Sequence, residues 1–234
     1  MHTGLADDFL LLALDDHGKN LIGDLRLNYG LAGAVLLDLA LAGRIELAED
    51  RVTVTDPTPT GDPVADEALA RIAAEERPRK ADAWMQPLAD GLRAKVLDRQ
   101  VEAGVLRREQ DRVLWVFPRT RFASATGAQP AAETAVRAEL TAAVDGNGAA
   151  DGDGDGEVPA RAAALIGLVQ VSGLAQEVFP GRPKERLQAR LHAITAGNQA
   201  TDAVRQAVRR IQAVIGSTAA ITAATSAATT AAIS

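Results

Sequence analysis

Cysteine is absent from the 234 residues, which excludes disulfides, thiolate metal sites and a cysteine nucleophile together and fits a reducing compartment. Aromatic residues are also scarce, at 3% of the chain. The core must therefore come from Ala, Leu and Val, on aliphatic helix faces that approach one another closely rather than on stacked rings. The three histidines, His2, His17 and His192, have no spacing that would set two of them on one helix face as metal ligands. A phosphate-cradling Gly-rich loop with its lysine, a Gly-x-Ser-x-Gly elbow and a dinucleotide fingerprint are all missing. No catalytic constellation is left, so the expectation is a protein that is not an enzyme and carries no cofactor and no metal. Met1 to Asp8 has no basic region ahead of an apolar stretch and no small-residue cleavage site, and nothing in it directs export. The apolar run Phe9 to Leu14 is far short of the roughly 20 residues a bilayer span needs.

What is present is ordinary for a globular chain: 47% hydrophobic and 24% charged residues, enough to bury a sizeable core. The net charge of -6 argues against nucleic acid as a general partner, because phosphate contacts need a positive field. The run Asp151-Gly152-Asp153-Gly154-Asp155-Gly156 imitates the opening of a calcium-binding EF-hand loop. Its twelfth position, which should be a bidentate Glu, is Ala162, so an acidic flexible linker is the better account.

Periodicity predicts a first buried helix over Asp8 to Leu14, turn residues from Asp15 to Asn20, and a second helix from Leu31 to Ala42. That second helix is apolar nearly all round apart from Asp38, which places it in the middle of a fold, and it stops at Gly43. Two β-prone stretches then flank the polar turn Ala48-Glu49-Asp50. The unit recurs 61 residues later: Ala42-Gly43-Arg44-Ile45 with Asp50-Arg51-Val52 is answered by Ala103-Gly104-Val105-Leu106 with Asp111-Arg112-Val113. Helix plus hairpin is also how a winged helix is built, which keeps a DNA-binding regulator as an alternative reading. Further helices are expected from Val64, over Trp84 to Ala89, Leu92 to Ala103, Ala131 to Val144, Arg161 to Val178, Lys184 to Ile194 and Thr201 to Ile215.

Between Arg93 and Arg121 eight basic residues stand against four acids, a local +4 within an acidic chain. This stretch includes Val113-Leu114-Trp115-Val116-Phe117, whose alternation predicts an apolar hairpin face beside the cations. Partial insertion of such a face, with Lys and Arg drawing anionic headgroups at about 1 kcal/mol each, is the physics of a peripheral membrane contact.

The segments Gly30-Leu31-Ala32-Gly33, Leu39 through Leu47, Pro59-Thr60-Gly61-Asp62 with Asp66-Glu67-Ala68-Leu69, Ala83-Trp84, and Arg93 through Leu106 with its hairpin resemble, in order, the Golgi phosphoprotein 3 family. The resemblance covers about Leu5 to Ile215 and points to a bacterial-type member, given the Ala-, Arg- and Asp-rich composition. It implies a mainly α fold: a single helical domain with short β-hairpins, one of them hydrophobic and projecting. It also implies binding of phosphatidylinositol 4-phosphate in a basic pocket beside that hairpin, which inserts into the bilayer. Of the family's pocket arginines Arg93 keeps its place, while the others correspond to Ala32 and Asp90 and the pocket tryptophan to Gly23.

The combined expectation is a family domain over residues 1–215, with a flexible acidic Gly/Asp loop at about 145–157 and a disordered Ala/Thr/Ser-rich tail over 216–234. Its headgroup-binding residues are Arg93, Arg26, Lys95 and Arg99, and its membrane-inserting hairpin residues are Leu114, Trp115, Val116 and Phe117. The expected partner is an anionic phospholipid surface, at the inner face of the membrane for a cytoplasmic protein. Self-association or a protein-protein adaptor role through the hairpin is the remaining alternative.

Overall fold

The computed structural model describes residues 4–113, 117–146, 158–196 and 205–217. In chain order these form α1 (Leu5–Leu12), α2 (Asp24–Leu41), β1 (Ile45–Ala48), β2 (Arg51–Val54), α3 (Pro63–Ala73), β3 (Arg79–Lys80) and α4 (Ala81–Ala89). They continue with α5 (Leu92–Glu102), β4 (Leu106–Val113), β5 (Phe117–Ser124), α6 (Ala131–Asp145), α7 (Ala160–Ser172), α8 (Ala175–Val178) and α9 (Lys184–Ala196). A last helix, α10, covers 205–217. The fold is mostly helical with short antiparallel hairpins, as the sequence predicts.

The apolar helix α2 is the axis of the molecule, packed against α1, α3, α4, α5, α7 and β1. Leu27, Leu31, Ala32, Ala34, Val35, Leu36, Leu37 and Leu39 are all buried on it, so its apolar circumference is used rather than wasted. Glycines on this axis allow close approach. Gly30 sits under the Phe9 ring of α1, and Gly33 meets Ile211 and Ile215 of α10 and Leu168 of α7.

The helix-hairpin unit occurs twice, as the repeat predicts. Helices α2 and α5 each run into a glycine in the left-handed region, Gly43 at φ 67 and Gly104 at φ 70, before the first strand. In the β1–β2 hairpin the two central residues, Glu49 and Asp50, both take positive φ, the turn whose twist matches paired strands. The two-residue β3 adds to the β2 edge.

The second hairpin is longer than the repeat predicts. Instead of turning near Asp111, β4 stays paired with β5 from Leu106 opposite Ser124 to Val113 opposite Phe117. Val113 and Phe117, which bound the apolar stretch, are thus paired with each other at the far end of the ladder. Leu114, Trp115 and Val116 fall outside the described residues, as does the side chain of Phe117.

Other boundaries shift for local reasons. The first helix starts at Leu5, because the backbone N–H of Gly4 donates to the Asp7 carboxylate at 3.1 Å and that of Leu5 to Asp38 Oδ2 at 2.9 Å. The second starts at Asp24, after Gly23, since a carboxylate in the first turn suits the helix dipole. Gly173, at φ 85, splits the expected Arg161 to Val178 helix into α7 and α8. The final helix takes in Gly216 and Ser217, which the sequence assigns to the tail; residues 218–234 and the acidic loop over 147–157 fall outside the described residues.

Candidate functional site

A cleft of about 1200 Å³, open to solvent, lies between the 18–29 segment, the α4–α5 junction and the β4–β5 hairpin. Its floor is built by close backbone packing. Gly18, at φ 73, lies against the carbonyl of Phe122 on β5, where a Cβ would come within 2.1 Å of that oxygen. The Asp15 carboxylate accepts the N–H groups of His17 and Lys19 at 3.0 and 2.8 Å, fixing the turn that carries Lys19 to the rim.

The opposite wall is the entry of α5. Asp90 ends α4, Gly91 takes φ 70, and Arg93 is the second residue of α5. No side chain caps the first turn of α5, which leaves its N–H groups and positive dipole end at the cleft wall with Arg93. Arg93 Nη1 donates to Asp24 Oδ1 at 2.7 Å across the cleft. Asn20 Nδ2 reaches the same oxygen at 3.1 Å. These bonds, that of Asn20 foremost, hold the Asp24 carboxyl below its usual range, so it remains ionised.

At the hairpin side Arg108 pairs with Asp98 and lies 5.6 Å over the Phe122 ring. Tyr29 donates its hydroxyl to Gln86 Oε1 at 3.1 Å. Lys19 and Asp90 also line the cleft and are exposed; neither has an ion-pair partner among the described residues.

The four cations expected to gather at one site are dispersed. Successive residues on a helix turn by about 100°, so Arg93 and Lys95 face apart while Lys95 and Arg99 share a side. Lys95 pairs with Glu67 on α3. Arg99 is half-buried against Asp7 and Asp62. Arg26 is exposed on the far side of α2, near the end of α7, where a Cβ on Gly173 would lie 3.4 Å from its Nη1. Only Arg93 of the four lines the cleft.

Lys19 and Asp24, which the sequence does not mark as site residues, line the cleft with Arg108 and Arg121 of the basic stretch and with Asp90, the position corresponding to a family pocket arginine. The available signal was the i, i+4 pair Asn20 and Asp24 bracketing Gly23, which marks a helix start ahead of Leu31.

Fold and cleft together describe a helical protein with two helix-hairpin units and a polar, arginine-bearing groove beside the longer hairpin. The Golgi phosphoprotein 3 (GPP34) family model matches residues 5–211, and the chain belongs to that family. Membership is consistent with binding of lipids, phosphoinositides included. Among the described residues no helix is long and apolar enough to cross a membrane.

Proposed function

We propose that the protein binds a phospholipid surface peripherally, with a headgroup phosphate received in the cleft at Arg93. The observation that carries this is the meeting of Arg93 with the uncapped start of α5 on one cleft wall. A guanidinium fork and free backbone N–H groups together suit a phosphate oxygen better than either alone. Lys19 stands across the opening, and Asp24 occupies Arg93 as a replaceable counter-ion. The second hairpin borders the same cleft, so its Leu114-Trp115-Val116-Phe117 end is the segment to enter the bilayer. On this reading the role is binding and not catalysis, at the inner face of the membrane from the cytoplasm. Phosphatidylinositol 4-phosphate or another anionic phospholipid is the ligand.

Vesicle flotation tests the reading with neutral lipid, generic anionic lipid and phosphatidylinositol 4-phosphate over a salt series, for wild type and Arg93→Ala. The expected result is recruitment at low salt that weakens as salt rises and is lost in the variant. No recruitment to either charged vesicle at low salt removes the reading.

A further inference from the structure

Seven charged residues line the cleft, Arg121 of β5 among them. Arg93 with Asp24 and Arg108 with Asp98 are paired within the protein. Lys19 and Asp90 line the same space with no ion-pair partner among the described residues. An ammonium and a carboxylate, both exposed, thus await partners of opposite sign in one groove.

Their placement is fixed by backbone. Asp90 closes α4, Gly91 turns the chain in the left-handed region, and Arg93 follows within the first turn of α5. The Asp90 carboxylate and the Arg93 guanidinium therefore stand three residues apart at one corner, both lining the cleft. A purely anionic ligand held at Arg93 would meet Asp90 beside it, a carboxylate with no ion-pair partner among the described residues. A ligand with an ammonium a short distance from its phosphate would satisfy Arg93, Lys19 and Asp90 together.

The geometry points to a phosphodiester carrying a primary amine, the chemistry of an ethanolamine headgroup, as the ligand of this cleft. The inference rests on the reading that Arg93 receives a lipid phosphate. The phosphate sits at Arg93 and Lys19, and the ammonium donates to Asp90. A carboxylate accepts N–H bonds from a primary ammonium, whereas a trimethylammonium has none to give and is held by aromatic faces. Of the two rings lining the cleft, Phe122 is covered by Arg108, which leaves Tyr29 alone and no cage of faces around a trimethylammonium. A serine headgroup offers the same amine but brings a second carboxylate toward Asp90, and binds more weakly.

Titration calorimetry with water-soluble diesters tests this: glycerophosphoethanolamine, glycerophosphocholine, glycerophosphoserine and glycerophosphoglycerol, against wild type, Arg93→Ala and Asp90→Asn. Asp90 is exposed and outside any ion pair among the described residues, so its variant keeps the fold, which thermal unfolding verifies. The ethanolamine diester is expected to bind wild type about tenfold tighter than the choline and glycerol diesters, the effect of one charge-assisted hydrogen bond. Asp90→Asn should erase that preference and leave the glycerol diester as tight or tighter, while Arg93→Ala weakens all four. Equal binding of ethanolamine and choline diesters, a preference that survives Asp90→Asn, or no binding of the ethanolamine diester overturns the proposal. Arg93-dependent flotation on anionic vesicles without any ethanolamine preference would leave the lipid-binding reading standing and sink this one alone.

Discussion

Arg99 grips Asp62 with one nitrogen, Nη1, lying 2.9 Å from each carboxylate oxygen, and Asp62 in turn accepts the N–H groups of Val64 and Ala65 at the start of α3. The same guanidinium donates through Nε to Asp7 Oδ1 at 2.9 Å on α1. A residue that reads from the sequence as a headgroup ligand is thus the clasp joining α1, α3 and α5.

Removing the clasp should be costly, because Asp7 is only 1% exposed and would be left as a buried charge with Gln100 as its remaining side-chain partner on α5. Arg99→Ala is expected to destabilise by about 3 kcal/mol or more, and Arg99→Lys to recover only part of this, since an ammonium cannot reproduce the fork. Urea unfolding measures both. Asp7→Asn in the Arg99→Ala background should restore stability by relieving the unpaired charge. Vesicle binding by the folded fraction should be unchanged, in contrast to Arg93→Ala.

The pH dependence of stability should trace largely to Asp38. Its carboxyl on α2 accepts the Leu5 N–H, at 2.9 and 3.1 Å to its two oxygens, and burial pushes its pKa up to about 7. Asp7 on α1 and Asp62 ahead of α3 raise it further, and Arg161 of α7 opposes them. The folded carboxyl holds its proton up to about pH 7, while the unfolded one releases it near 3.8. The folded state therefore binds more protons across that interval, and stability falls as pH rises through it, by at most about 4 kcal/mol. Burial raises Asp7 and Asp8 in the same direction. Asp38→Asn should flatten the slope between pH 4 and 7 and stabilise the protein at neutral pH, as followed by thermal unfolding over a pH series. An unchanged slope would assign it to other groups.

The central helix, the two helix-hairpin units and the glycine that ends each helix are legible because they rest on local rules: apolar residues around a whole helix circumference, β-branched stretches about a polar turn, and Gly where φ must be positive. The cleft is less so. Arg93, Lys95 and Arg99 share one helix and one sign, but which of them meets solvent depends on Glu67, Asp62 and Asp7, supplied by α3, the turn before it and α1. Two adjacent acids in an apolar run, Asp7 and Asp8, look like a solvated helix end. They are buried because Arg99 and Arg161 reach them from distant segments. The start of α2 is hidden for the opposite reason: Leu25 is 41% exposed among polar neighbours, so Leu27 is the one buried apolar side chain in the first turn and no stripe forms until Leu31.

Gly30 tests the close contact at the core. A Cβ there would lie 2.2 Å from Cε1 of Phe9, a ring that is fully buried and has no room to retreat. Gly30→Ala is expected to cost about 1–3 kcal/mol despite the better helix propensity of Ala, since overpacking outweighs the gain of about 1 kcal/mol. Pairing it with Phe9→Leu should cost less than the sum of the two single changes, because both act on one contact. Chemical denaturation of the four proteins in the cycle gives the coupling, and strict additivity would mean that the helices separate rather than share the strain.

Asp24 should act as a brake on headgroup binding. It is 78% exposed at the side chain, so its pair with Arg93 is solvent-screened and easily broken, yet any phosphate arriving at Arg93 must displace it. The displaced carboxylate then stays beside the ligand as a repelling charge. Asp24→Asn removes both the competition and the repulsion while keeping a side chain of the same shape next to Asn20. The free energy of an exposed pair, about 0.2–1 kcal/mol, corresponds to a gain of about 1.4- to fivefold in binding to anionic vesicles. The gain should vanish in Asp24→Asn/Arg93→Ala, because without the guanidinium there is nothing for the carboxylate to block. Equal gains with and without Arg93 would mean that Asp24 acts only through the general field of the surface, and high salt would then abolish its effect in both proteins.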